Sequence, residues 1–287
     1  MPDGKPDVLV ADAKPPEAAR IALDYLGGKV KKPTSEVFLL AVLAGAFIAF
    51  GSILYLVVSA GGDGFSGPQH LLAGIGFSVG LTLVTVAGAE LFTGDTMLVI
   101  HRLRHTLDRG TMWRFWLVVY GGNLVGALLV AVLFVVAGGH MPGEGAVGLA
   151  ALETARTKMG KGALQLVASG ILANMLVCLA VWVTQAARTV PGKILALTGP
   201  IAAFVAAGFE HSVANMSILP MGLLVKATAG SEFWTGTGAD PTAFATLGFW
   251  PLVHNLVFVT IGNTVGGGLI GIAYWFAYLR RPEQAGH

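Results

Sequence analysis

Three apolar runs, residues 37–60, 115–139 and 162–187, contain no Asp, Glu, Lys or Arg. Each is long enough to carry a helix across roughly 30 Å of hydrocarbon. A further uncharged run covers about 249–279, and two more apolar stretches, 71–100 and 194–222, are interrupted. Glu90 and Asp95 break the first of these, and Glu210 and His211 break the second. The pattern predicts six membrane-spanning helices, of which the second and fifth are broken. Ionisable side chains at membrane depth are costly and usually mark a transport path or a proton relay. Two such breaks in one chain point to a substrate site.

The halves of the chain repeat. Gly122-Asn123-Leu124-Val125-Gly126 in the third span matches Gly262-Asn263-Thr264-Val265-Gly266 in the sixth, and a Gly-x-Glu break lies one span before each, at Glu90 and Glu210. The Glu-to-Asn separation is 33 residues in the first half (123 − 90) and 53 in the second (263 − 210), and the extra length fits an external loop at 223–248. Three spans per half is an odd number, so the halves have opposite topology. The expected fold is an all-α membrane protein of two inverted three-helix repeats. Such repeats place substrate near the bilayer midplane, between broken helices whose N-termini present unpaired amides. Half-helices starting near Thr96 and Ser212 would favour an anion there.

Composition narrows the class. With 54% apolar and 12% charged residues and a mean hydropathy of +0.72, the chain carries too little charge for a soluble globule of its length. Lysine and arginine gather on one side, at Lys14, Arg20, Lys29, Lys31 and Lys32, at Arg102, Arg104, Arg109 and Arg114, at Arg188 and Lys193, and at Arg280 and Arg281. The opposite loops hold Arg156, Lys158, Lys161 and Lys226. This asymmetry predicts that both termini are cytoplasmic. Topology explains the basic residues, so the net charge of +2 is no argument for nucleic acid. The organisation expected is a cytoplasmic segment over 1–36, a six-span transport domain over 37–281 and a cytoplasmic tail over 282–287. Ala18, Ile21, Ala22, Tyr25 and Leu26 recur at helical spacing, which predicts an amphipathic helix on the membrane surface. Trp113, Trp116, Trp182, Trp250 and Trp275 fall near span ends, as an interfacial belt requires. The single cysteine, Cys178, forms no intrachain disulfide, and no metal-ligand cluster or phosphate loop occurs in the sequence. No cofactor is expected.

His211 is the residue best suited to meet an anion. It donates and accepts hydrogen bonds, and its unperturbed pKa of about 6.5 makes its charge responsive to surroundings. Glu210 would repel an anion, so it reads as structural, as does Glu90 by symmetry. Thr93 could bond His211 across the repeat interface. Asn123 and Asn263 read as amides that knit helices, and Asn174 invites the same reading. Gly76-Phe77-Ser78-Val79-Gly80 has the form of a hydrolase nucleophile motif. That motif needs a sharp strand-to-helix turn, whereas these residues lie inside a predicted span.

Glu90-Leu91-Phe92-Thr93-Gly94, the run from Ile171 to Trp182, Gly208 to Met216 and Thr260-Ile261-Gly262-Asn263 together resemble the formate/nitrite transporter family. The resemblance covers about residues 17–281. It implies an aquaporin-like protomer with its own pore, assembled as a homopentamer in the inner membrane. It implies that formate or a related monovalent anion passes, such as nitrite, hydrosulfide, lactate or acetate, with protons as a second partner. Leu91, Phe92 and Thr93 would form the loop that breaks span two. Phe77 and Leu81 would narrow the cytoplasmic side, and Val177 and Phe204 the outer side. His211 would lie between these constrictions near Thr93 and Asn174, and Lys158 would draw anions into the outer vestibule. Asp95 departs from the formate branch, whose loops are neutral at this position; residues 90–97 look more like the nitrite branch and 218–222 more like the formate branch. A neutral-solute pore is the alternative class, although the paired Asn-Pro-Ala signature is absent, and an intramembrane hydrolase built on Ser78 is a third.

Overall fold

The structure is a computed structural model that describes residues 11–62 and 66–280. The tail expected over 282–287 lies outside the described residues. Pro15 and Pro16 open α1 (Pro15–Lys29), where a missing N–H costs nothing because first-turn donors have no helical acceptor. There follow α2 (Thr34–Ser59), α3 (Gly67–Ala87), the short α4 (Phe92–Asp95), α5 (Val99–Leu103) and α6 (Arg109–Val136). The second half comprises α7 (Ala146–Met159), α8 (Ala163–Thr184), α9 (Val190–Ala206), α10 (Ser212–Thr228), α11 (Ser231–Thr237) and α12 (Phe249–Tyr274), which ends in a π-helical turn over Trp275–Leu279. Among the described residues the regular structure is entirely helical.

Helices α2, α3, α6, α8 and α12 with its terminal turn are each long and apolar enough to cross a membrane. Helices α9 and α10 have 17 residues apiece, or about 25 Å at 1.5 Å per residue. Each is shorter than roughly 30 Å of hydrocarbon, and together they make the fifth, broken span. The second span continues past its break through α4, a 3₁₀ turn over Thr96–Leu98 and α5, so its second half-helix starts at Phe92 rather than at the expected Thr96. Helix α11 folds away from α10 by 113°.

Packing follows the repeat. Helix α2 lies on α6 as α8 lies on α12, α2 on α3 as α8 on α9, and α3 meets α9 across the interface of the two halves. The Gly-Asn-x-Val-Gly segments let the first and third spans of each half approach. A Cβ at Gly126 would overlap the Val42 carbonyl, and one at Gly266 the Ile171 carbonyl. Gly266→Leu is therefore expected to destabilise the protein by about 1–3 kcal/mol through overpacking. Thermal unfolding in detergent checks this, with the exposed neighbour substitution Val265→Leu expected to have no effect.

Two features differ from the sequence reading. The apolar stripe of α1, with Ala18, Ala22 and Leu26, is buried against α5, α8 and the terminal π-helical turn, so the helix docks on the bundle. Trp113 and Trp250 are exposed, as anchors would be, but Trp116 and Trp182 are buried. The Trp116 indole N–H donates to the Asp95 carbonyl at 2.9 Å, and Trp182 stacks on Tyr274 at 4.0 Å. Both rings face the bundle because they lie on helix faces turned toward a neighbouring element. Ser78 lies within α3, where its hydroxyl donates to the Ile75 carbonyl at 2.6 Å, so the strand-to-helix turn of a hydrolase is not formed.

Candidate functional site

Each break begins at a glycine in the left-handed region, Gly88 with φ of 78° and Gly208 with φ of 68°. Glycine has no Cβ to clash there, so it can stop a helix in the middle of a span. A buried asparagine from the third span of the same half then holds the break open. Asn123 Nδ2 donates to the carbonyls of Glu90 (2.9 Å) and Ala41 (2.8 Å), and its Oδ1 accepts from the Phe92 N–H at 3.0 Å. Asn263 repeats this pattern on Glu210 (3.0 Å), Gly170 (2.8 Å) and the Ser212 N–H (2.8 Å). Orphan backbone groups at both breaks are thus satisfied in a dry interior.

The two glutamates are buried and ion-paired. Glu210 meets Lys158 at 3.0 Å and Lys161 at 2.6 Å, and it accepts from Asn215 Nδ2 at 2.7 Å. Glu90 meets Lys29 at 2.8 Å and Lys32 at 3.0 Å. In each half a lysine pair three residues apart flanks one carboxylate. Lys29 also meets Asp95 at 2.6 Å. Burial alone would lower the Lys29 pKa, but the Asp95 and Glu90 carboxylates and the Tyr25 ring outweigh it and hold the ammonium well above its ordinary value.

His211 caps α10. Its Nδ1 accepts from the Ala214 N–H at 3.1 Å, so in the neutral ring the proton sits on Nε2. That N–H faces Thr93 Oγ1 at 3.0 Å and donates to it. The ring stacks on Phe204 with centroids 5.9 Å apart, and Phe204 meets Phe77 edge-on at 5.6 Å. These three rings line a cavity of about 360 Å³ whose walls include His70, Lys158 and Lys161.

Several expected site residues stand elsewhere than anticipated. Phe77 shares the Lys158-side cavity with Phe204 instead of narrowing the opposite side with Leu81. The reason is depth: Gln69 and His70 at the start of α3 line this same cavity, and Phe77 lies ten residues in from Gly67 (77 − 67), about half of a 30 Å span. Phe92 makes edge contacts with Trp116 and Tyr120 on α6 and does not line the His211 cavity, because each helical residue turns about 100° from the one before. Asn174 sits behind the first break and donates from Nδ2 to the carbonyls of Thr93 (3.1 Å) and Asn263 (2.6 Å) and to Thr96 Oγ1 (3.0 Å). Leu81, Leu91 and Val177 are buried in the apolar cluster around the two breaks.

Sequence reasoning took Lys29, Lys32 and Lys161 only as topology charges and passed over Asn215 and Asn255. Asn255 links the Lys158 carbonyl (2.9 Å) to Asn215 (2.7 Å). The three-residue spacing of both lysine pairs, repeated in each half, was the signal available.

Inverted repeats with matched breaks, and a cavity in which two lysines and His211 meet, define a multi-pass membrane transport protein. The chain belongs to the formate/nitrite transporter family, whose family model matches residues 16–276. It is 41% identical to the formate channel FocA of Escherichia coli strain K12 over 273 residues, covering 94% of this chain and 96% of that one. It is 36% identical to the nitrite transporter NirC of Salmonella typhimurium over 249 residues, covering 85% and 84%. Among solved structures it is similar to a pentameric formate channel with formate bound, at a TM-score of 0.80 and 38% identity, covering 87% of this chain and 99% of that one.

Proposed function

We propose that each protomer passes formate, or another small monovalent anion such as nitrite, hydrosulfide, lactate or acetate, through a pore between its two repeats. Five protomers form the working assembly, by likeness to the relative solved as a pentamer. The six-span domain lies in the inner membrane with both termini in the cytoplasm, an orientation that the lysine and arginine bias supports. The observation that carries the reading is the Nε2–H of His211, an imidazole donor paired with a hydroxyl at the end of a cavity that holds two lysines against one carboxylate. Anions gather at the vestibule, pass the Phe77–Phe204 pair and reach His211 and Thr93. Leu81 and Leu91 supply the second apolar barrier, and Val177 narrows the outer side with Phe204.

Protons take part at His211. A proton added at Nδ1 turns that atom into a donor facing the Ala214 N–H, so the charged ring gives up its cap. An anion in contact with the ring offsets that loss. Protonation and anion arrival are in this way linked, and proton sharing lets the pair cross the apolar barrier without net charge.

The test is uptake by proteoliposomes of formate, nitrite, hydrosulfide and lactate across a pH series. Swelling in glycerol without anion flux would replace this reading with the neutral-solute pore. Phe204→Ala opens the narrow point and is expected to raise lactate flux relative to formate several-fold; an unchanged ratio would show that Phe204 does not set the size limit.

A further inference from the structure

Both breaks carry a left-handed glycine, a glutamate two residues on and a lysine pair against that glutamate, and one of their differences is a charge five residues past the glutamate. Five residues after Glu210 stands Asn215, whose amide donates to that carboxylate at 2.7 Å. Five residues after Glu90 stands Asp95, fully buried and 2.6 Å from Lys29. The ionised groups fixed at the second break are Lys158, Lys161 and Glu210, a sum of +1. Those at the first are Lys29, Lys32, Glu90 and Asp95, whose formal charges sum to zero. Glu153 also lines the Lys158-side cavity, but it is exposed at the rim, where solvent and salt screen it.

We infer that Asp95 sets the sidedness of anion capture at the two breaks: it cancels the charge left by the Lys29–Lys32 pair and Glu90 at the first break, while Lys158 and Lys161 keep an unbalanced charge at the second. Charges in low-dielectric walls act on a small ion well beyond contact distance, so an unbalanced unit charge at one mouth raises local anion concentration there. Asp95 faces Lys29 through Oδ1 and takes no other side-chain partner among the described residues. Trp116 binds the Asp95 backbone carbonyl, a contact that a side-chain replacement leaves in place. Asparagine at position 95 would reproduce the chemistry of Asn215, donating to Glu90 as Asn215 donates to Glu210. The inference rests on the proposed anion function and assigns to this chain a feature of its own residues.

Pentamers inserted in planar bilayers in one orientation, verified by protease access to a tag before Met1, give the half-saturating formate concentration separately for each face. In the wild type that concentration is expected to be lower on the Lys158 face. Asp95→Asn is expected to lower the Lys29-face value about threefold or more and to leave the Lys158-face value unchanged. Equal changes on both faces, or none on either, overturn the inference. A second measurement compares the variant with the wild type: the salt dependence of capture on the Lys29 face is expected to be steeper in Asp95→Asn, and an unchanged slope also overturns the inference. Absence of formate current from both faces would sink the proposed function as well, whereas robust current with symmetric faces sinks the sidedness alone.

Discussion

His211→Asn is expected to lower formate flux at least tenfold and to flatten its dependence on pH. Asparagine is among the best N-cap residues, so the start of α10 keeps an acceptor for its first-turn N–H groups. What disappears is the ring: the Nε2–H directed at Thr93, the stacking on Phe204 and the capacity to take a proton. A hydrogen bond to a charged partner contributes about 1.5–3 kcal/mol, which corresponds to roughly ten- to hundredfold in rate. The assay is formate uptake by proteoliposomes between acid and neutral pH, with the assembly state of the variant checked alongside. If flux and pH profile match those of the wild type, the histidine has no part in passage. Thr93→Val, which removes only the hydroxyl, is expected to fall between the two.

Asn263→Ala is expected to give the largest loss of stability of any single truncation at the site. One side chain holds the carbonyls of Glu210 and Gly170 and the N–H of Ser212, all in a buried setting. Each orphaned buried group costs about 1–3 kcal/mol, so the sum over three groups is on the order of 3–9 kcal/mol, a large share of a typical folding free energy. Asn123→Ala removes the matching bonds at the first break and is expected to do comparable damage. Asn263→Asp keeps the acceptor for Ser212 and loses the two donated bonds, and so should be intermediate. Thermal unfolding of the detergent-solubilised protein orders the three variants. Melting of Asn263→Ala within a few degrees of the wild type would show that the break does not depend on this amide.

Spans, breaks and the repeat were legible because each is a local property of the chain. An apolar run needs no partner to be recognised, and Gly88-Ala89-Glu90 and Gly208-Phe209-Glu210 interrupt such runs in corresponding places. The knitting role of Asn123 and Asn263 could be read from their matched motifs. Positions set by depth and rotation could not. Phe77 joins Phe204 because α3 enters from the Lys158 side, and Phe92 turns toward Trp116 because it is one residue past the cap at Leu91. The partnership of Lys29 with Asp95 spans 66 positions and depends on α1 docking against the bundle, which the periodicity of α1 did not distinguish from lying on a lipid surface.

The linear order of these contacts bears on how the protein is made. Lys29 and Lys32 leave the ribosome before Glu90, and Lys158 and Lys161 before Glu210, so each carboxylate reaches the bilayer with its neutralising partners already synthesised. Asn123 and Asn263 come last in their halves. Insertion can therefore proceed in two rounds of the same sequence, with charge matched first and the amide fastener closing the unwound segment when the third helix of that half arrives.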